Sequence, residues 1–150
     1  KLEWMNGEYI RNLKFEILNL KIQEYVGDSY DKKIIEKTVP LVRERLKKFS
    51  DYLPLCEFLF SAPATYEVDM GKYKNLLKNI SDTLSTVSDW KALMVGGVMG
   101  DLAKKLGMKN SEFFMVLRVA VTGKKISPPL NESMELLGKE ECQKRLKSLL

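Results

Sequence analysis

The densest chemistry in the sequence lies in SEFFMVLRVAVTGKKISPPL, residues 111–130. From Phe113 to Val121 every residue except Arg118 is apolar. A helix that is apolar on nearly all sides belongs in an interior. Its arginine must therefore keep the guanidinium at water, pair with a carboxylate, or reach a phosphate or a base. Gly123 is expected to end that helix, and Lys124 and Lys125 follow it. Ser127 precedes a proline, which biases its backbone toward an extended conformation. Pro128 and Pro129 fix their own φ, so this loop loses little entropy when it meets a ligand. A stiff corner facing solvent, with flat apolar rings, exposed main-chain groups and nearby cations, suits unstacked RNA bases. Such bases are read by stacking and by hydrogen bonds to their edges. Ser-Pro-Pro taken alone is an ordinary stiff turn.

Charge extends the same theme. Between 104 and 130 stand Lys104, Lys105, Lys109, Arg118, Lys124 and Lys125 against a single acid, Glu112. A smaller cluster, Arg43, Arg45, Lys47 and Lys48, is broken only by Glu44. The whole chain holds 25 basic and 20 acidic side chains, a net charge of +5. One basic cluster reads as a solvated helix face. Two clusters on a basic total favour a polyanion, because each neutralised phosphate releases counterions.

Other chemistries are excluded by composition. With no histidine, the chain can build neither a Ser-His-Asp nor a Cys-His triad, and no imidazole metal site. Cys56 and Cys142 are too far apart in sequence for a CxxC or a zinc knuckle, and they make no disulfide framework. No GxxxxGK[ST] loop is present, and MVGGVMG (94–100) reads as helix-packing glycines rather than a nucleotide loop. Glu132 and Glu135 read as solvated carboxylates on a short amphipathic helix, with no nucleophile or metal set beside them, so a free-standing hydrolase has no support. No apolar run approaches the roughly 18 residues of a spanning helix, and no membrane partner is expected. The chain opens Lys1-Leu2-Glu3-Trp4, without a start methionine or a secretory pattern. It is therefore expected to be an internal piece of a longer protein.

The elements that must position these residues are helical nearly throughout. Asn6 is expected to cap a short helix through Leu13, followed by a helix over 14–25 that stops near Gly27. Asp31 starts a helix that meets Pro40, where it bends or a new one begins. Val39, Val42, Leu46, Phe49 and Leu53 then form one apolar stripe. Arg45 lies beside it, on a stripe with Leu41, Lys48 and Tyr52. Ser50 is expected to cap the next helix. SAPATYEVD (61–69) lacks a stripe and reads as a linker. Helices are expected at 70–85, 88–106 and 111–121, begun by Ser88 and by Asn110 or Ser111, and then at 130–137 and 139–149. The expected fold is all-α, in two small helical bundles, 1–64 and 65–150.

Three blocks carry a family likeness: KLEWMNGEYIR (1–11), VRERLKKFSDYLPLCEFLF (42–60) and LRVAVTGKKISPPLNESMELLGKEECQKRL (117–146). They resemble the C-terminal anticodon-binding region of bacterial-type glutamyl-tRNA synthetases, and the likeness covers essentially the whole chain. It departs from the family at Met115-Val116, where Lys-Pro or Arg-Pro is common, and at Asn131, where a phenylalanine is common. The resemblance implies an ATP- and Mg²⁺-dependent class I ligase whose HIGH-like and KMSKS-like signatures are absent here. The fragment would thus need no cofactor, would not itself activate glutamate, and would bind the anticodon loop of tRNA-Glu. A cytoplasmic location, or an organellar matrix, and a monomeric parent are implied as well.

The resemblance also assigns roles. Arg118 matches the arginine of the family's Leu-Arg-Val-Ala motif and would help to read splayed bases, and Ser127, Pro128 and Leu130 match the loop that contacts the first two anticodon bases. Arg45 matches the arginine that favours C over G at the third base, with Arg43 as the alternative register. Arg43, Lys104, Lys105, Lys109, Lys124 and Lys125 would hold the RNA backbone. The rival expectation is a helical protein-interaction domain, with Arg118 in a structural ion pair.

Overall fold

The structure, a computed structural model, describes residues 2–150, with side chains from Asn6 onward. Among the described residues it is all-α, with nine α-helices and no strand. The chain divides into two compact units, Lys1–Ser61 and Ala62–Leu150.

In the first unit, α1 (Leu2–Asn12), α2 (Phe15–Val26), α3 (Lys32–Val42) and the short α4 (Tyr52–Cys56) are joined by 3₁₀ turns. Asn6 lies inside α1 rather than at its start. Gly27 closes α2 at φ +84°. Asp31 caps α3 by accepting the Lys33 N–H at 2.8 Å, which satisfies one of the donors left over at a helix start. Pro40 neither breaks α3 nor begins a new helix. It sits exposed in the last turn, and α3 runs on to Val42.

Beyond it, Arg43–Arg45 forms a 3₁₀ turn and Leu46 is extended, so the expected continuous helix is interrupted. Val39, Val42 and Leu46 are still buried, with Ile10, Leu18, Ile22 and Ile35. Asp51, not Ser50, organises the next segment by accepting from the N–H groups of Lys47 and Lys48. Tyr52 is fully buried, and its hydroxyl lies 2.5 Å from Thr38 Oγ1. Thr38 in turn donates to Ile35 O.

The second unit holds α5 (Lys74–Ser85), α6 (Ala92–Lys105), α7 (Asn110–Thr122), α8 (Leu130–Leu137) and α9 (Lys139–Lys147). Leu77, Ile80, Leu84, Val95, Met99, Phe113, Leu117, Ala120, Met134 and Leu146 share its core. Each fully buried Val, Leu, Ile, Met or Phe among them contributes roughly 1.5–3 kcal/mol.

Buried polar groups lock α9 onto α5. Gln143 accepts from Ser81 Oγ at 2.6 Å and donates to Ser81 O at 2.8 Å. Lys139 Nζ donates to the carbonyls of Ser85 and Val87, where α5 ends. The start of α6 departs from expectation. Ser88 does not cap it; the helix begins at Ala92, whose N–H donates to Glu135 of α8 at 2.8 Å. Likewise α7 starts after Lys109 without a side-chain cap from Asn110 or Ser111.

Candidate nucleic-acid interface

α7 is apolar on most of its surface because most of its surface is covered: Phe113, Val116, Leu117, Val119, Ala120 and Val121 are all buried. It ends at Gly123, which takes the left-handed conformation at φ +81°, with its N–H on Val119 O at 2.7 Å. An added Cβ there would lie 2.6 Å from Thr65 O and 2.7 Å from Pro63 Cβ, so glycine is required twice over. The Thr122 hydroxyl, 2.8 Å from Arg118 O, accepts the Lys124 N–H and turns the chain outward.

Arg118 is half-buried and points into the loop that follows its own helix. Its guanidinium donates to Ser127 Oγ and, at 3.0 Å, to Pro128 O. The Ser127 hydroxyl lies 2.7 Å from the same carbonyl. Pro129 O then accepts from Ser133 N–H and Oγ, which begins α8.

This corrects one expectation. The 127–130 corner is not a solvent-facing platform: Ser127 is 1% exposed, Leu130 5%, and Pro128 is buried with them. Leu130 draws the turn inward, and the Arg118 guanidinium satisfies Ser127 Oγ and Pro128 O there. The outward-facing residues are those just before the corner. Lys124 and Lys125 are exposed, Ile126 is 69% exposed, and Pro129 is partly so.

Two further contacts hold this loop, and neither was read from sequence. The 61–69 segment is no free linker. It lies along the loop, with Glu67 N–H donating to Gly123 O at 2.9 Å and Glu67 Oε1 accepting from Lys125 N–H at 2.7 Å. All of it beyond Ser61 belongs to the second unit, so the unit break falls at Ser61/Ala62, ahead of the expected 64/65 boundary.

From the other side, the almost fully buried Arg145 of α9 donates to Val121 O at 2.8 Å and to Glu141 at 2.7 Å. Val121 O is one of the carbonyls that α7 itself cannot satisfy. A signal for Arg145 was present, since it shares a stripe with Cys142, Leu146 and Leu149 at helical spacing. Nothing local marks Glu67.

The remaining basic residues do not form one patch with the loop. Lys104 and Lys105 end α6 and Lys109 precedes α7, all exposed. The 13 residues of α7 separate them from Lys124 and Lys125, which is about 20 Å at 1.5 Å per residue. A run of cations along the sequence is thus split between the two ends of a helix. In the first unit Arg45 is exposed, whereas Arg43 is half-buried and its Nε–H donates no hydrogen bond. Because the helix breaks at Leu46, Arg45, Lys48 and Tyr52 do not share a helix face, and Tyr52 is inside.

Burial pushes both thiols up to about 12, so Cys56 and Cys142 are protonated near neutrality and are not nucleophiles. Among the described residues no three acidic or cysteine side chains cluster as a metal would require, and no helix is long and apolar enough to cross a membrane.

Comparison with known proteins gives one answer. The family described as Anticodon binding domain matches residues 12–150. A glutamate–tRNA ligase of Cutibacterium acnes is 32% identical over 97% of the chain, which spans 34% of that relative. A glutamate–tRNA ligase of Dehalococcoides mccartyi is 32% identical over the same share. The crystal structure of a glutamate tRNA ligase from Elizabethkingia meningosepticum, in complex with its amino acid, superimposes with a TM-score of 0.81 at 22% identity. That match covers 98% of this chain and 31% of the other. The chain spans about a third of the length of the curated relatives it matches.

Proposed function

Because the chain belongs to the anticodon-binding domain family, we propose that it grips the anticodon arm of a glutamate tRNA on behalf of a glutamate–tRNA ligase. The observation that carries this reading is the loop after α7, whose backbone is tied from three directions while Lys124, Lys125 and Ile126 face outward. A cationic loop held rigid needs little ordering when it meets a phosphate backbone.

Lys124 and Lys125 are assigned to phosphates, and Ile126 and Pro129 to apolar contact with an unstacked base. Arg118, Ser127, Pro128 and Leu130 act from beneath: they set the path of the main chain, whose polar groups then meet base edges. Lys104, Lys105 and Lys109 form a second phosphate-binding patch at the far end of α7. Arg45 is assigned to the third anticodon base, with Arg43 behind it.

We assign neither ATP nor Mg²⁺ to residues of this chain. It has no glycine loop to cradle phosphates and, among the described residues, no carboxylate cluster. We place both cofactors in the remainder of such a ligase, which we take to be cytoplasmic and monomeric.

Titration of the chain with an RNA stem-loop bearing the glutamate anticodon tests the reading. Binding should weaken steeply as salt rises. Replacing Lys124 and Lys125 together by alanine should make the logarithmic salt dependence shallower by about 0.7 per lysine, with all anticodon sequences affected alike. Absent or salt-independent binding would support the helical protein-interaction reading instead. Arg45→Gln should act differently. In the full ligase it should relax selection at the third base by about 10–100-fold, the worth of one good arginine–base pairing, and leave general affinity nearly intact. Unchanged charging selectivity would remove Arg45 from that role.

A further inference from the structure

We infer that the 63–67 strap is part of the RNA-gripping device, with Glu67 as the positioning residue that aims Lys124 and Lys125 at phosphates. The inference rests on the RNA-binding reading above and adds to it a residue of the wrong charge.

An exposed glutamate beside two lysines is, by charge alone, a defect in a phosphate site. Its geometry gives it a different task. Glu67 makes two main-chain-directed bonds to the loop, donating through its own N–H to Gly123 O at 2.9 Å and accepting the Lys125 N–H on its carboxylate at 2.7 Å. Between these two anchors stands Lys124. Its N–H is held by the Thr122 hydroxyl, so three consecutive residues, 123–125, have their main chain tied down. The strap itself cannot drift, because Pro63 and Thr65 O pack against Gly123 at distances that leave no room for a Cβ.

A two-residue cationic loop on a helix C-terminus would otherwise be mobile, and the last carbonyls of α7 are a poor environment for an anion. Fixing its backbone fixes the points from which both lysine side chains leave the loop and lowers the ordering loss on binding. Glu67 places one carboxylate oxygen on a backbone amide, so the benefit of holding the loop is set against the charge it leaves beside the lysines.

Two substitutions remove the same charge and separate position from charge. Glu67→Gln keeps an acceptor oxygen for the Lys125 N–H; Glu67→Ala does not. If charge alone mattered, both would tighten RNA binding. The inference expects opposite results: Glu67→Gln binds the anticodon stem-loop as tightly as the unaltered chain or a few-fold tighter, and Glu67→Ala binds about tenfold more weakly. Exchange of the Lys125 amide, followed by NMR without RNA, should stay slow in Glu67→Gln and accelerate at least about tenfold in Glu67→Ala. Thermal midpoints should be nearly equal, since the side chain is exposed.

Equal Lys125 exchange in all three proteins would overturn the inference. So would a loosened loop that binds RNA normally, or a Glu67→Gln protein as weak as Glu67→Ala. If the unaltered chain does not bind the stem-loop although Lys125 exchange responds as expected, the RNA reading fails, and the role given to Glu67 falls with it.

Discussion

Gly123→Ala is expected to destabilise the second unit by about 2–5 kcal/mol, the sum of a left-handed backbone forced on a side chain and an overpacked contact. The first part follows from φ +81°, a region that L residues avoid. The second follows from Thr65 O and Pro63 Cβ, at 2.6 and 2.7 Å from the new methyl. Neither neighbour is the free end of a flexible chain: one is backbone and the other a ring carbon. The strap must therefore lift, and with it go the Glu67 bonds to Gly123 and Lys125. In a unit of this size the loss corresponds to a thermal midpoint lower by on the order of 10–40 °C.

Gly107→Ala is the matching control. It lies in the same unit at φ +69°, with nothing within 4 Å of an added Cβ. It should show only the backbone part, about 1–2 kcal/mol. The difference between the two midpoints measures the strap contact. If Gly123→Ala melts no earlier than Gly107→Ala, the strap does not pack on the loop, and the account of how Lys124 and Lys125 are presented loses its foundation.

Legibility in the sequence followed the range of each interaction. Helix identities were readable because their signals are local: a stripe at three- and four-residue spacing, an aspartate at position 31, glycines at 27 and 123. The expected helix over 130–137 coincides with α8, Leu130–Leu137. The family likeness, carried by the 117–146 block, was equally visible, and the match over 12–150 agrees with it.

What failed was decided by distant partners. Ser88 looks like a cap, but α6 is capped by Glu135, 43 positions away. The 61–69 stretch has no periodicity because its partners are on the loop after α7, not on a helix face of its own. The buried corner was misread because Ser-Pro-Pro describes stiffness and says nothing about which side is covered. The basic run from Lys104 to Lys125 looked continuous because a one-dimensional count ignores the length of the helix between its ends. At 111–130, three physical readings of Arg118 stood open. The structure adds a fourth: the guanidinium serves its own chain, as donor to Ser127 and Pro128.

Arg145→Met is expected to destabilise the second unit by about 2–4 kcal/mol, and to loosen the loop after α7 by more than that loss implies. Methionine keeps much of the apolar stem's volume, so little of the effect is cavity. The loss has two electrostatic parts of unequal weight. Glu141 is 35% exposed, so once unpaired it turns to water, and its share is small. Val121 O is different. It is a helix-terminal carbonyl inside the protein, and without Arg145 it forfeits a bond from a charged donor, worth roughly 1.5–3 kcal/mol. Glu141→Gln should therefore destabilise far less than Arg145→Met, and combining them should add little to the latter. Amide exchange over 119–126 should rise in Arg145→Met relative to α5, because the C-terminus of α7 loses its tie while the Ser81–Gln143 pair still holds α9 in place. A uniform rise across the whole unit would mean that Arg145 supports the bundle generally. A rise confined to the end of α7 would show that a buried cation on the last helix governs the order of the loop that carries Lys124 and Lys125.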